Sequence, residues 1–354
     1  MDESAARILK NAPGARRRLL AWFARHRRAM PWRERPSAYR TVVSELMCQQ
    51  TQIATAIPYF ERWTRRWPDF EALAAADESE VLELWAGLGY YSRARNLLAL
   101  ARAVVARGGP PATAAEWLAF RGVGPYTAAA IASIAFGEPA AVVDGNVVRV
   151  LARLTGDRTV FRDAADAAKR LTPLAGAFLD PRRPGDFNQA MMELGSIVCR
   201  KASPGCAACP LRRDCASAGR KEAVAVPRFA PRRRREEAVD RVVVVRTGRV
   251  LLQRHPSDAR RLAGIAEIPT AASLGVRLAG APVATRRRSI GDVAYLERLH
   301  RPGPDAALLR RARAASFSWV PIASLQAAAV SGPHLRWLLQ LLSPAGLKAR
   351  GRRP

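Results

Sequence analysis

The apolar positions of this chain change period part-way along it. Through about Ala216, alanine and leucine recur at the three- and four-residue intervals of amphipathic helices. One helix is well marked. Ser37 is placed to cap it, and Tyr39, Val42, Val43, Leu46 and Met47 fall on one stripe. Glu45 lies off that stripe on its polar flank, where a carboxylate is ordinarily solvated, although Gln49-Gln50-Thr51-Gln52 adds polar groups suited to lining a cleft. Residues 113–119 are helix-forming, and a further helix is expected after Pro125, with the proline in its first turn. Beyond residue 239 the pattern reads as strands: Val242–Val245 and Val250–Leu252, joined by a tight turn at Thr247-Gly248. The stretch between, 220–238, is basic and proline-bearing, ends in Arg232-Arg233-Arg234-Arg235, and reads as a solvated linker. The expected organisation is therefore an all-helical domain over 1–219, a linker over 220–238, a smaller α+β domain over 239–344 and a basic tail over 345–354.

Between the two central helices stands Gly122-Val123-Gly124, the bend of a helix–hairpin–helix. Its glycines permit positive φ and leave no side chain between backbone and ligand, so the N–H groups opening the second helix are placed to bind a phosphate. Further on, Val142-Val143 leads into Asp144-Gly145-Asn146. An aspartate there is ordinarily an N-cap, but the apolar run before it shelters the carboxylate, and sheltered carboxylates are where chemistry is done.

The chain of 354 residues carries a formal net charge of +28, most of it arginine. Such an excess favours a polyanionic partner bound in a salt-sensitive way. No apolar run reaches membrane-spanning length and no basic amphipathic anchor stands out, so nucleic acid is favoured over a membrane surface. Arginine abundance also follows from genomic base composition, which tempers that reading.

Cys199, Cys206, Cys209 and Cys215 form a C-x6-C-x2-C-x5-C run. Four sulfurs this close suit a tetrahedral zinc or a 4Fe–4S cluster. The spacing fits zinc poorly, since zinc sites usually pair two short knuckles across a longer gap. Disulfides are the weakest reading: the chain opens on charged residues without an apolar leader, so a reducing cytoplasm is expected. Cys48 reads as an ordinary helix residue.

Together these segments resemble the iron–sulfur helix–hairpin–helix DNA glycosylases of the endonuclease III-like superfamily, and within them the adenine DNA glycosylases of the MutY family. The resemblance runs from about Met30 to Cys215. It is carried by Pro31-Trp32-Arg33, Ser44–Gln52, Gly87–Asn96, Gly122-Val123-Gly124, Val143–Asn146, Phe187–Gly195 and the cysteine run. The endonuclease III branch, which cuts pyrimidine lesions, carries a nucleophilic lysine two residues beyond the second hairpin glycine. Tyr126 stands there, after Pro125, and no lysine lies near, so the Schiff-base chemistry lacks its amine.

The resemblance implies hydrolysis of the N-glycosidic bond of adenine mispaired with 8-oxoguanine or guanine in duplex DNA, the nucleotide being flipped out of the stack. It assigns Glu45 as general acid toward adenine N7, which requires a raised pKa, and an ionised Asp144 as stabiliser of the oxocarbenium-like sugar. Tyr126 and Asn146 would orient Asp144 and the water. Trp32, Arg33 and Glu193 would line the base pocket, Gln50 and Tyr90 would enter the duplex, and the four cysteines over 199–215 would hold the 4Fe–4S cluster. Arg200, Lys201, Arg212 and Arg213 in that loop would meet phosphates. A monomer is expected. A non-enzymatic damage-binding module on the same scaffold is the other reading, opposed by the presence of both Glu45 and Asp144.

Residues 239–344 resemble the family's Nudix-like domain, which reads 8-oxoguanine, through Val250–Arg254 and Leu262–Pro269, without the glutamate-rich metal box of Nudix hydrolases. Where the family carries Phe-Ser-His, this chain has Arg288-Ser289-Ile290-Gly291, keeping a serine, the candidate lesion contact, and losing the histidine. Arg121 is a second departure, standing where the family usually has proline.

Overall fold

The computed structural model describes residues 3–231, 235–256, 259, 264–290, 292–303, 306–326 and 328–343. The tail over 345–354, Gly291, Leu262-Ala263 and Arg232–Arg234 lie outside the described residues. The chain divides into two units, Met1–Pro231 and Arg232–Pro354. Among the described residues no helix is long and apolar enough to cross a membrane.

The first unit is helical and has two cores. One is drawn from the middle of the segment, from Tyr39 to Ala132, around Trp63, Trp67, Trp85 and Trp117. The other joins both ends of the unit, Ile8–Phe23 with Val143–Val226. Helix Pro125–Phe136 lies along the seam: Ala128 and Ile131 face the first core, while Ala129 and Ala130 pack with Val142 beside Tyr126 and Met192. It packs on helix Ala38–Cys48 on one side and helix Pro184–Glu193 on the other.

Helix Ala38–Cys48 forms as its periodicity requires. Ser37 accepts a hydrogen bond from the Arg40 N–H at 3.1 Å, and the whole expected stripe is buried. The segment expected as helix over 113–119 is shorter, Ala114–Trp117, opened by a Thr113/Glu116 capping box and ended by turns into the hairpin. Of the two hairpin glycines only Gly122 takes positive φ, +86°, where a Cβ would also strike the Asn96 side chain. Gly124 is extended and caps helix Pro125–Phe136.

The expected linker is partly built into both units. Lys221–Ala225 forms a 3-10 turn, Arg228–Phe229 pairs in parallel with Val160–Phe161, and Arg235–Val242 is a strand of the second unit. Among the described residues that unit holds two small sheets. Strand Arg235–Val242 runs parallel to Val293–His300, which is antiparallel to Ala284–Ile290. In the other sheet, Arg249–Arg254 pairs antiparallel with Val245–Arg246, Ala266–Glu267 and Phe317–Pro321. Thr247 and Gly248 both take positive φ, as a two-residue hairpin turn requires. The valine run is shared between sheets, however: Val242 ends one strand and Val245 begins another, with Val243 and Val244 buried between.

Inside the second unit lies a closed charge network. Arg288 Nε donates to Glu297 at 2.5 Å and its Nη1 to Glu267 at 3.1 Å, while Arg241 Nη2 reaches Glu267 at 3.2 Å. His334 Nδ1 accepts the Ile268 N–H at 2.9 Å, so Nε2 carries the proton and donates to Glu297 at 3.1 Å.

Candidate active site

The two lobes of the helical unit bring Glu45, Tyr126, Asp144 and Asn146 to their seam. Glu45 keeps part of its surface open although protein surrounds it, the arrangement of a group at the floor of a cleft. Burial pushes its carboxyl up to about 7, reinforced by the charge of Asp144 and opposed by a Tyr126 hydrogen bond and by Arg33. The solvated position suggested by the helical wheel is thus not what the fold provides. The neighbouring helix, carrying Tyr126, roofs that flank.

Asp144 caps helix Gly145–Thr155. Its Oδ1 accepts the Val147 N–H at 2.7 Å and its Oδ2 accepts Asn146 Nδ2 at 2.7 Å. Burial raises its pKa, while these donors and Arg149 pull it back. The two carboxylates therefore differ in what they are offered. Asp144 has two directed donors and a nearby guanidinium, and Glu45 has one phenol and the lesser influence of Arg33, itself paired with Glu193. Where the pair holds a single proton, it resides on Glu45. The Tyr126 hydroxyl lies 3.4 Å from Met192 Sδ and donates toward Glu45; burial and both carboxylate charges hold its own proton in place.

Asn146 is itself held. Its Oδ1 accepts Arg149 Nη2 at 2.9 Å, and Gly195 packs so close that a Cβ there would lie 2.6 Å from Asn146 Cβ. Arg149 also donates to the carbonyls of Gly195 at 2.6 Å and Cys199 at 2.7 Å. A continuous chain of hydrogen bonds thus runs from the cysteine loop to Asp144. Arg149 stands in the quoted sequence, but nothing in its spacing announced that link.

Arg33 and Glu193 come together as an ion pair. Arg28 Nε and Nη2 grip both Glu193 oxygens at 2.6 and 3.1 Å, and Arg33 Nη2 adds a contact at 3.1 Å. Burial alone would raise Glu193, but the two guanidiniums hold it below the ordinary range. Glu193 is 1% exposed with both oxygens engaged, so it holds Arg33 rather than offering an oxygen of its own. Trp32 packs edge-on to Phe60, half-buried nearby. Arg28 carried no signal beyond its charge.

Gln50 and Tyr90 sit in separate loops and share an unusual backbone: both take left-handed φ, 55° and 49°. Such conformations are costly for non-glycine residues and persist where the surroundings impose them. Arg93, 7% exposed, does so. Its guanidinium donates to the carbonyls of Leu46 and Met47 at the end of helix Ala38–Cys48, of Gln49 just beyond it, and of Leu88 and Gly89 in the other loop. Tyr90 is 63% exposed, projecting rather than packing. Gly122 and Gly124 are exposed and Val123 is buried beneath them.

The four cysteines of the run are unpaired and line one small cavity, with Arg153 beside it. Among the described residues no three ligating side chains close around a single metal ion. Burial, and then the charges of the neighbouring cysteines, pushes Cys209 to about 12 and Cys215 to about 11. Thiols so crowded ionise readily only against a bound cation. Arg153 donates to the carbonyls of Arg200 and Lys201 and comes within 3.4 Å of Cys199 Sγ. Arg200, Lys201, Arg212 and Arg213 are exposed on this loop. Ser289 is exposed on strand Ala284–Ile290, opposite Ala294, whereas its neighbour Arg288 turns inward to the glutamates.

Residues 43–173 match the family described as HhH-GPD superfamily base excision DNA repair protein. The adenine DNA glycosylase of Rattus norvegicus is 48% identical over 213 residues, covering 56% of this chain and 41% of the relative. That of Mycolicibacterium smegmatis is 40% identical over 200 residues, covering 54% of this chain and 66% of the relative. The chain thus spans about two fifths of the length of the rat relative. Among solved structures, a thermostable thymine-DNA glycosylase is similar with a TM-score of 0.53 at 27% identity, covering 59% of this chain and 97% of that one. Residues 43–173 are thus similar to the HhH-GPD superfamily of base excision DNA repair proteins, and the sequence relatives named above are adenine DNA glycosylases.

Proposed function

We propose that this protein is a monofunctional adenine DNA glycosylase acting, as a monomer, on adenine mispaired with 8-oxoguanine or guanine in duplex DNA. The observation that carries the reading is Glu45, a carboxyl raised to about 7 beside a better hydrogen-bonded Asp144. Glu45 protonates adenine N7, and the C1′–N9 bond then breaks with its electron pair leaving on the base. Asp144, ionised, stabilises the positive sugar. Water adds to C1′, and its proton restores Glu45. Tyr126 holds Glu45, while Asn146 and Arg149 hold Asp144. The flipped base would sit by Trp32 and Arg33, the latter fixed by Glu193. The projecting Tyr90 and the strained Gln50 suit insertion into the vacated stack, and the exposed glycines before helix Pro125–Phe136 suit a phosphate. Tyr126, in the place of a lysine, supports hydrolysis over the lyase reaction.

Four cysteines around one cavity, in a C-x6-C-x2-C-x5-C run whose spacing suits zinc poorly, support a 4Fe–4S cluster. Cys199, Cys206, Cys209 and Cys215 would ligate it, and when bound it supplies a structural centre that orders the basic loop. The second unit would be the Nudix-like reader of the opposite base, with Ser289 exposed for contact. The test is incubation with duplexes holding adenine opposite 8-oxoguanine, guanine or thymine, followed by alkali. Breaks at adenine only after alkali are expected. Breaks without alkali would instead indicate a lyase, and no breaks at all a binding module.

A further inference from the structure

Helix Gly145–Thr155 carries Asp144 at its head. At its other end, about 16 Å away for eleven residues at 1.5 Å each, lies a separate crater of about 490 Å³. Its rim holds Arg7, Arg158, Arg213 and Arg220, from four different segments of the chain. All four side chains are exposed, and none has a carboxylate partner among the described residues. Of the two acidic residues on the rim, Asp214 is already paired with Arg18. Glu222 is exposed and opposes only one of the four charges. Ser217 also lines the crater; it is 7% exposed, and its hydroxyl has no hydrogen-bond partner among the described residues.

A helix C-terminus would normally repel an anion. Here that effect is reduced at three of the four terminal carbonyls. The terminal carbonyls of Ala152, Arg153 and Leu154 accept N–H groups from Gly156, Asp157, Ser217 and Ala216. Those three carbonyls are engaged within the fold, and the guanidiniums on the crater rim outweigh what remains at Thr155. Guanidiniums converging on a cavity large enough for a small ligand suit phosphate groups, which they bind in forked pairs.

We propose that this crater binds a small, multiply phosphorylated anion, at a site separate from the glycosylase cleft. The four arginines neutralise the phosphates and the Ser217 hydroxyl donates to one of their oxygens. The shared chemistry is a chain of phosphates, which a nucleoside triphosphate or an inorganic polyphosphate would supply.

Calorimetric titration of the 354-residue chain with ATP and, separately, with inorganic tripolyphosphate tests this. Arg158→Glu with Arg220→Glu, both exposed, should weaken binding about tenfold or more, the scale of losing charge-assisted contacts. Arg158→Lys with Arg220→Lys should keep most of it, and Glu222→Gln should tighten it. Equal affinity for the two probes assigns the site to phosphates alone, and tighter ATP binding assigns it to a nucleotide. Arg213, which the resemblance would give to DNA phosphates, lines this crater instead, so binding should persist when the protein is saturated with a short mispaired duplex. No binding, binding untouched by the charge reversals, or displacement by that duplex would each overturn the proposal.

Discussion

Two regions of this molecule bury glutamates, to opposite ends. In the helical unit Glu45 is enclosed with one phenol and a carboxylate nearby, the one guanidinium that lowers it, Arg33, is already paired with Glu193, and its pKa rises to about 7. In the second unit Glu267 is also buried, but the guanidiniums of Arg241 and Arg288, with the His334 ring beside them, more than offset that burial and hold it at about 2. Glu297, 0% exposed, is likewise held low by His334 and the same arginines. Burial alone therefore does not make a carboxylate reactive. What decides is whether the fold supplies a compensating cation. Where it does, the group is structural; where it is withheld, the group stores a proton that a substrate can take.

Removing the stored proton is the hardest blow to that contrast. Glu45→Gln should lower adenine excision by about 10³-fold or more, in keeping with loss of a general acid, with mispair binding retained. Asp144→Asn should do the same, as measured by single-turnover excision beside a gel-shift titration. In the second unit, Glu297→Gln removes one member of a balanced network and leaves guanidiniums unmatched. It should cost about 3–5 kcal/mol in urea denaturation of the whole chain.

The two glutamates should also imprint opposite pH signatures on stability. Glu267, with its folded pKa depressed, contributes stability that is present above about pH 4.5 and lost as pH falls toward about 2. Glu45, with its folded pKa raised, imposes a cost that grows as pH rises from about 4.5 to about 7. Glu45→Gln should accordingly be more stable than the parent at pH 8, by on the order of 3 kcal/mol, and should lose that advantage near pH 5. An unchanged difference across that range would mean that Glu45 ionises freely. Smaller effects should follow at the supports. Arg149→Gln loosens Asn146 and Asp144 and should slow excision by up to about 10²-fold, the scale of a misplaced catalytic group. Ser37→Ala should cost about 1 kcal/mol of stability through the lost cap, leaving the chemistry alone.

Much of the helical unit was legible in the sequence because its helices declare themselves locally, as the Ser37 cap and the stripe from Tyr39 to Met47 do. The hairpin and the positions of Glu45, Asp144, Tyr126 and the cysteines were legible through their motifs. What was not legible depends on distant partners. The wheel position of Glu45 suggested solvent because the helix that covers it lies some 80 residues away in sequence. Arg93, Arg149 and Arg28 look like surface charge until the fold gives them carbonyls and carboxylates to hold. In the second unit, Val242–Val245 read as one strand because a fully buried run looks the same whether it stays in one sheet or passes between two. The inward turn of Arg288 needed Glu267 and Glu297, which its own segment does not mention.

The most direct measurement is the pH dependence of single-turnover adenine excision from a duplex carrying adenine opposite 8-oxoguanine, for the parent and for Glu45→Gln. The parent rate should fall through a midpoint near pH 7 as Glu45 loses its proton, and the variant should show no comparable rate at any pH. A parent rate that holds steady to pH 9, or a variant that excises adenine near the parent rate, would contradict the role given to Glu45.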